Sequence, residues 1–338
     1  MDTQNQLGWY TKTLKQYITS DELKELVKKS DWKGLLEIAH TWAWIAFALA
    51  LPVISDGLTN KNIYAKVFAI IISLFILGGK QLACAIIMHD ASHDSIFASR
   101  KLNIFFGNWF GAYPILHNVE QYRPYHHEHH IYTGLDNDPD ISLTKGYPTT
   151  AISMVRKFLR DLSGATGIKG QIAVIAMHTQ ILQYSLGNVV KRLYLPWTKE
   201  RFKTSFKNLI GPVSANLIFL GILWLLGHPS LYLLWIGALF TTYTFSLRVR
   251  SMAEHSNVTE RQNPHKNTRT TYANFFEQIL FAPHHVNYHA EHHLCMGAPS
   301  YNLPKMHKLL LERGFFKEGT METNYWKIIQ LGIVNRTA

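Results

Sequence analysis

Cysteine is nearly absent from this sequence: among 338 residues there are only two, Cys84 and Cys295. Two isolated cysteines cannot build the disulfide framework of a small secreted domain, and they form no Cys-x-x-Cys metal site. They also exclude an iron–sulfur cluster held by several cysteines. Any metal site in this chain must therefore use other ligands.

Charged residues are also scarce, at 17%, whereas hydrophobic residues make up 47% and occur in blocks. Four blocks, at residues 39–55, 63–87, 209–227 and 231–247, approach the ~17–25 residues that cross a bilayer as a helix. Buried helices of a soluble protein would show shorter apolar runs and a polar stripe. The sequence therefore predicts an all-α integral membrane protein, a single domain with four transmembrane helices.

Acidic residues are fewer than basic ones, which gives a formal net charge of +11. With four spans, 31 of the 34 lysines and arginines lie on the side that carries both termini, and the positive-inside rule makes that side cytoplasmic. Recognised nucleic-acid motifs are missing, so we attribute the charge to anionic lipid head groups rather than to nucleic acid. The first residues, MDTQNQLGWYTKTLK, lack the basic-then-apolar order of a signal peptide, so insertion is expected to rely on the first span.

Histidine, in contrast, is abundant, and the spacing of the histidines is more informative than their number, 18. Eight of them form three clusters, His89 and His93, then His126, His129 and His130, then His289, His292 and His293, and His255 stands alone before the last cluster. Residues three and four apart share one face of a helix, so each cluster would direct its imidazoles to one point. Imidazole suits iron, copper, zinc and nickel, and so many converging imidazoles exceed what one tetrahedral zinc ion can use. The pattern favours two metal ions in one site. The candidate ligands are His89, His93, His126, His129, His130, His255, His289, His292 and His293.

A fifth apolar stretch, residues 172–190, carries several polar side chains and fits either a span or an interfacial helix. A span here would put the first two histidine clusters on the opposite side of the membrane from the third. One metal centre could not then form. We therefore predict that residues 172–190 lie along the interface.

Local patterns make further predictions. Residues 21–38 have the pattern of one amphipathic helix that leads into the first span. The second histidine cluster is expected to begin a helix at Pro124, because proline suits a first turn. Within that cluster His127 lies about 100° round the helix from His126, but it can pair with His130 at i, i+3, so spacing alone leaves the register open.

At HDASH, HHEHH and NYHAEHH the chain resembles the membrane fatty acid desaturase/hydroxylase superfamily. The first motif is the HxxxH form of the family's first histidine box, and the other two fit HxxHH only in the register that starts at His126 and His289. The resemblance covers roughly residues 35–310. It implies a cytoplasmic helical cap that carries the boxes, a non-haem centre of two iron ions, O2 as the oxidant and an external electron donor.

Polar residues near the boxes are candidates for orienting the imidazoles through hydrogen bonds. In some family members an asparagine precedes the isolated histidine by four residues, but here that position is Ser251. Asn287, just before the third box, is an alternative polar partner. The candidates for this role are Asn287, Asp90 and Glu254, and the other neighbouring carboxylates are Asp94, Glu120, Glu128, Asp138, Asp140 and Glu291.

The resemblance implies an O2-dependent desaturase that acts on a fatty acyl chain. Hydroxylation, carotenoid ketolation and oxidative decarboxylation of a fatty acid to a terminal alkene use related chemistry and stay open as alternatives. A membrane metal-ion transporter is an alternative of another class. The chain contains no haem-binding HPGG motif, so the electrons are expected to come from a separate ferredoxin, rubredoxin or cytochrome b5 type of carrier.

Overall fold

A computed structural model describes residues 6–187 and 190–334, and these residues are mainly helical. The helices are α1 (Gln6–Tyr17), α2 (Ser20–Leu26), α3 (Asp31–Leu58), α4 (Ile63–Ser92), α5 (Arg100–Gly107), α6 (Val119–Tyr132), α7 (Ile141–Thr144), α8 (Ala151–Leu162), α9 (Ala165–His178), α10 (Lys199–Leu225), α11 (Tyr232–Phe240), α12 (Thr242–His255), α13 (Phe275–Leu280), α14 (His289–Leu294), α15 (Leu303–Glu312) and α16 (Tyr325–Leu331). A π-helical turn spans Asn108–Ala112, and short 3-10 helices span Tyr113–Ile115, Pro229–Leu231, Pro283–His285, Ser300–Asn302 and Phe315–Lys317. Strands β1 (Arg269–Thr271) and β2 (Thr320–Glu322) form a parallel pair in which Thr270 faces Met321.

Four helical segments are long and apolar enough to cross a membrane, which confirms the predicted fold class. They overlap the four predicted stretches and are Asp31–Leu58, Ile63–Ser92, Lys199–Leu225 and Pro229–His255. The last segment is interrupted at Thr241, between α11 and α12. Short turns join the segments in two antiparallel pairs, so α4 and α12 end on the same side of the bundle. The cytoplasmic position of that side stays a prediction.

Helix α4 is the central helix of the bundle. Every residue from Leu77 to Ser92 is buried, including the polar side chains of Lys80 and Gln81. Neighbouring helices approach closely at two glycines: a Cβ on Gly78 would lie 2.5 Å from the Thr242 carbonyl carbon, and one on Gly79 would lie 2.2 Å from the Ile279 oxygen. Small residues at such crossings allow backbones to touch inside a membrane bundle.

The predicted single helix over residues 21–38 is wrong, because the chain breaks between α2 and α3. The Ser30 side chain accepts a hydrogen bond from the Lys33 amide and starts a new helix at Asp31. Thr19 and Glu22 form a capping box at the start of α2. The first membrane-crossing helix therefore begins eight residues before the predicted stretch at 39–55.

The predicted start of the second box helix at Pro124 is also wrong. Helix α6 begins at Val119, because the Asn118 side chain accepts from the amides of Glu120 and Gln121 and caps the helix there. Pro124 then lies inside the helix.

The predicted interfacial segment 172–190 is helical only as far as His178, the end of α9. Arg201 donates to the carbonyl oxygens of Thr179 and Gln180, and Asn208 donates to that of His178, so side chains from α10 satisfy the groups where α9 stops. Residues 188–189 lie outside the described part of the chain. At 14 residues, α9 is too short to cross a bilayer, and its position at the interface stays a prediction.

Candidate metal centre

Four helices bring the predicted ligands together at one end of the bundle. Helix α4 carries His89 in its last turn and is followed by His93, and α12 ends with His255. Helix α6 contributes the second box and α14 the third. Within two groups the ligand nitrogens all lie within 4.8 Å of one another: His89, His93, His126, His130 and His292 form the first, and His129, His255, His289 and His293 the second.

The imidazoles face each other through Nε2. In the first group His130 Nε2 lies 3.0 Å from His126 Nε2 and 3.2 Å from His292 Nε2. In the second group His289 Nε2 lies 2.8 Å from His255 Nε2 and 3.1 Å from His293 Nε2. Nitrogens bound to one ion at ~2.1 Å lie roughly 3 Å apart, so both groups have the spacing of a metal-binding set.

Burial keeps most of these imidazoles neutral. Burial, reinforced by the neighbouring imidazoles, lowers the pKa of His126, His130, His289, His292 and His293 well below the ordinary value. It lowers the pKa of His93 to about 3. Metal binding requires the neutral imidazole, so these side chains are ready to act as ligands.

His129 differs because two carboxylates lie beside it. Burial alone would lower the pKa of His129, but Asp138 and Asp140 outweigh that effect and raise it to about 9. In return, His129 outweighs the burial of Asp138 and lowers the pKa of that carboxyl group. This corner of the site therefore favours positive charge, which a metal cation supplies.

Oxygen atoms outside the two groups hold several imidazoles in place. His89 Nδ1 lies 2.7 Å from Asp90 Oδ1, and His129 Nδ1 lies 2.8 Å from Asp138 Oδ1. His255 Nδ1 donates to the Asn267 backbone oxygen at 3.0 Å. Because each contact uses Nδ1, the Nε2 atom of the same imidazole faces the centre of the site. Such outer partners fix the tautomer and the orientation of a metal-binding histidine.

Glu254 supports the second group less directly. Its Oε1 accepts from Arg250 Nε at 2.6 Å and lies 3.3 Å from His289 Nδ1. The His289 contact is too poorly aligned to count as a hydrogen bond. We therefore regard Glu254 as an electrostatic neighbour of His289.

The other polar candidates have different partners. Asn287 accepts through its backbone oxygen from the Thr271 amide and lines a separate cavity with Tyr272 and Tyr288, so its role toward the histidines stays a prediction. Each of the remaining carboxylates is paired or exposed as follows: Asp94 with Arg123, Glu120 with Asn108, Asp140 with Tyr125, Glu291 with Thr270 and His307, and Glu128 exposed.

In the second box, three histidines lie in the two groups: His126 and His130 in the first and His129 in the second. His126, His129 and His130 are buried, whereas His127 is exposed. Sequence reasoning missed the Asn267 contact, because a backbone oxygen can belong to any residue type and leaves no pattern in the sequence.

The donor set fits a pair of metal ions. His89 Nε2 and His93 Nε2 are buried and have no hydrogen-bond partner among the described residues. A buried nitrogen lone pair without a partner is costly, and a cation bound between the imidazoles removes that cost.

Comparisons with known proteins agree with this site. The model of the family described as fatty acid desaturase matches residues 62–326. The chain belongs to that family. It is therefore an oxidoreductase, and with its four apolar helices it is an integral membrane protein.

Two relatives are distant but cover most of this chain. The sn-1 oleoyl-lipid 12-desaturase of Synechocystis sp. is 24% identical over 325 residues, 91% of this chain and 86% of the relative. The dihydrorhizobitoxine desaturase of Bradyrhizobium elkanii is 26% identical over 250 residues, 71% of this chain and 67% of the relative. Both names describe desaturases, but for different substrates.

Proposed function

We propose that the chain is an O2-dependent desaturase that uses two iron ions to introduce a C=C bond into a fatty acyl chain. The single observation that carries the proposal is the convergence of nine imidazoles in two adjoining groups of five and four. Redox-active iron, with positions open to O2, supplies the oxidising power that breaking an unactivated C–H bond needs.

The residues of this chain have distinct roles in the proposal. The histidines of the first group hold one iron ion and those of the second group hold the other. Asp90, Asp138 and the Asn267 carbonyl orient their imidazoles. In the proposal the acyl chain enters from the bilayer, beside apolar spans such as α3 and α4.

The electron donor and the membrane orientation are part of the same proposal. A ferredoxin, rubredoxin or cytochrome b5 type of carrier would supply electrons, and a chain of net charge +11 favours docking of an acidic partner. The distribution of lysine and arginine supports a cytoplasmic active site and cytoplasmic termini. Membership of an enzyme family argues against the metal-ion transporter.

Expression in a host of known lipid composition, followed by mass spectrometry of its acyl chains, tests the reaction. We expect new unsaturated chains that depend on O2 and are absent with the His292→Ala variant. Hydroxylated, ketolated or terminal-alkene products would contradict desaturation and select one of the related reactions.

Metal analysis of the purified protein tests the cofactor separately. We expect close to two iron atoms per chain and loss of activity after chelation. A single zinc ion without iron would contradict the proposed centre.

A further inference from the structure

A cavity of about 460 Å³ adjoins the first histidine group. It is lined by Ser92, His93, Asp94, Arg123, Pro124, His127, Met296 and Gly297. Its size lies in the ordinary range for small-molecule sites. His93 is thus both a member of the first group and part of the cavity lining, so the cavity lies next to the metal-binding side chains.

One polar residue of the cavity lining, Arg123, is held rigidly by hydrogen bonds. Arg123 donates from Nη1 to Asp94 Oδ2 at 2.6 Å, and from Nη2 to Asp94 Oδ1 at 2.8 Å and to the Ala91 oxygen at 3.1 Å. A guanidinium has five N–H donors. Three are used by partners in the described part of the chain, which leaves one on Nη1 and the one on Nε for a ligand.

The charge around this part of the lining is not balanced. Asp94 is the only carboxylate among the lining residues. Outside the lining, Glu120 adds a second negative charge that acts on Arg123. The positive charges are Arg123, Arg100, whose Nε lies 3.9 Å from an Asp94 oxygen, and Lys29, which interacts electrostatically with the Asp94 carboxyl group. His127 is exposed in the same lining and belongs to neither metal-binding group. An anion entering here meets more positive than negative charge.

Other lining residues are less polar. Pro124 and Met296 offer carbon and sulfur surface, and Gly297 leaves room beside them. A cavity whose lining combines a guanidinium, apolar side chains and a histidine of the first group matches an amphiphile whose head is anionic. It does not match a wholly apolar molecule.

We propose that Arg123 and His127 bind the anionic head group of the substrate, a carboxylate or a phosphate, while the first carbons of its chain lie against Pro124 and Met296. This inference rests on the proposed function for the identity of the chain. It assigns Arg123 and His127 to substrate selection rather than to metal binding.

Equilibrium binding to the iron-loaded protein in nanodiscs tests the proposal. The probes are palmitate, its methyl ester and lysophosphatidic acid. Losing a charged hydrogen bond costs about a tenfold change in affinity. We therefore expect Arg123→Gln and His127→Gln to weaken binding of at least one anionic probe by about that factor, with little effect on the ester. Weaker binding of palmitate would identify a carboxylate head group, and weaker binding of lysophosphatidic acid would identify a phosphate.

Matched controls separate the head-group role from folding. Arg156→Gln and His228→Gln remove exposed residues of the same types elsewhere and should leave binding unchanged. Because Arg123 also anchors Asp94, iron content is measured for every variant, and His127→Gln carries the test if Arg123→Gln loses iron. Equal weakening of acid and ester, or no weakening of any probe, would overturn the inference. If wild-type protein binds palmitate but oxidises no acyl chain, the proposed reaction fails while the head-group site stands.

Discussion

His126 and His127 are adjacent in the sequence, but their surroundings differ. His126 Nε2 lies 3.0 Å from His130 Nε2 within the first group, whereas His127 is exposed. We expect His126→Ala to lose iron and activity and His127→Ala to keep its iron. Metal analysis of both purified variants checks this. Iron loss in His127→Ala with retention in His126→Ala would mean that the ligand register is wrong.

Asp138 allows a test of the residues that orient the ligands. Its Oδ1 lies 2.8 Å from His129 Nδ1, and its Oδ2 accepts from the Gly134 amide at 2.8 Å. Removing such an outer partner typically lowers metal affinity by ~10–100-fold. We expect Asp138→Asn to lose iron to a chelator at much lower chelator concentration than wild type does. Asp136→Asn is the control, because Asp136 is exposed and pairs with Arg261; equal chelator sensitivity of the two variants would contradict the role of Asp138.

For individual residues, the sequence predicts the candidate imidazole ligands better than the groups that orient them through hydrogen bonds. Histidine spacing on a helix depends only on local geometry, so the eight clustered members of the two groups could be named from it, whereas the lone His255 could be named only through the family resemblance. The partner of each imidazole depends on how distant segments pack. Asp90 could be named because it is next to His89, but the Asn267 oxygen reaches His255 only in the folded chain.

Among the helices, long apolar stretches were predictable and helix ends were less so. Length and hydropathy identify a membrane-crossing helix because the bilayer sets both. A helix end depends on which groups satisfy its last amides and carbonyls. Asn118 starts α6 through a local cap that can be read from the sequence. At the end of α9, side chains of another helix donate the hydrogen bonds instead: Asn208 to the His178 oxygen and Arg201 to the Thr179 oxygen just after the helix.

A close helix contact at Gly79 predicts a packing defect in the Gly79→Ala variant. A Cβ at Gly79 would lie 2.2 Å from the Ile279 backbone oxygen, which cannot rotate away as a side chain can. We expect Gly79→Ala to lower stability by about 1–3 kcal/mol, the usual cost of overpacking, and to lower the melting temperature in detergent. Gly221→Ala, within α10 and with nothing within 4 Å of its added Cβ, should keep or raise it. Equal melting temperatures for the two variants would contradict the close approach at α4.

For the whole molecule, one metal centre and the membrane topology depend on each other. All nine histidines meet only if the chain between α6 and α10 stays on one side of the membrane. The 14 residues of α9 satisfy this condition because they do not span a bilayer. The same argument puts the turn after α3 and the turn before α11 on the other side.

Cysteine labelling of intact cells tests that topology, because Cys84 and Cys295 are buried and give little background. Lys101 and Lys199 are exposed at the end of the bundle that carries the histidines, and Tyr64 and His228 are exposed at the other end. With a cytoplasmic active site, Lys101→Cys and Lys199→Cys should resist a membrane-impermeant thiol reagent until the cells are lysed. Tyr64→Cys and His228→Cys should react before lysis. The reverse labelling pattern would keep the single metal centre but place it on the outer side of the membrane. If Lys101→Cys and Lys199→Cys behaved oppositely, the segment between them would cross the membrane. That result would refute the shared metal centre.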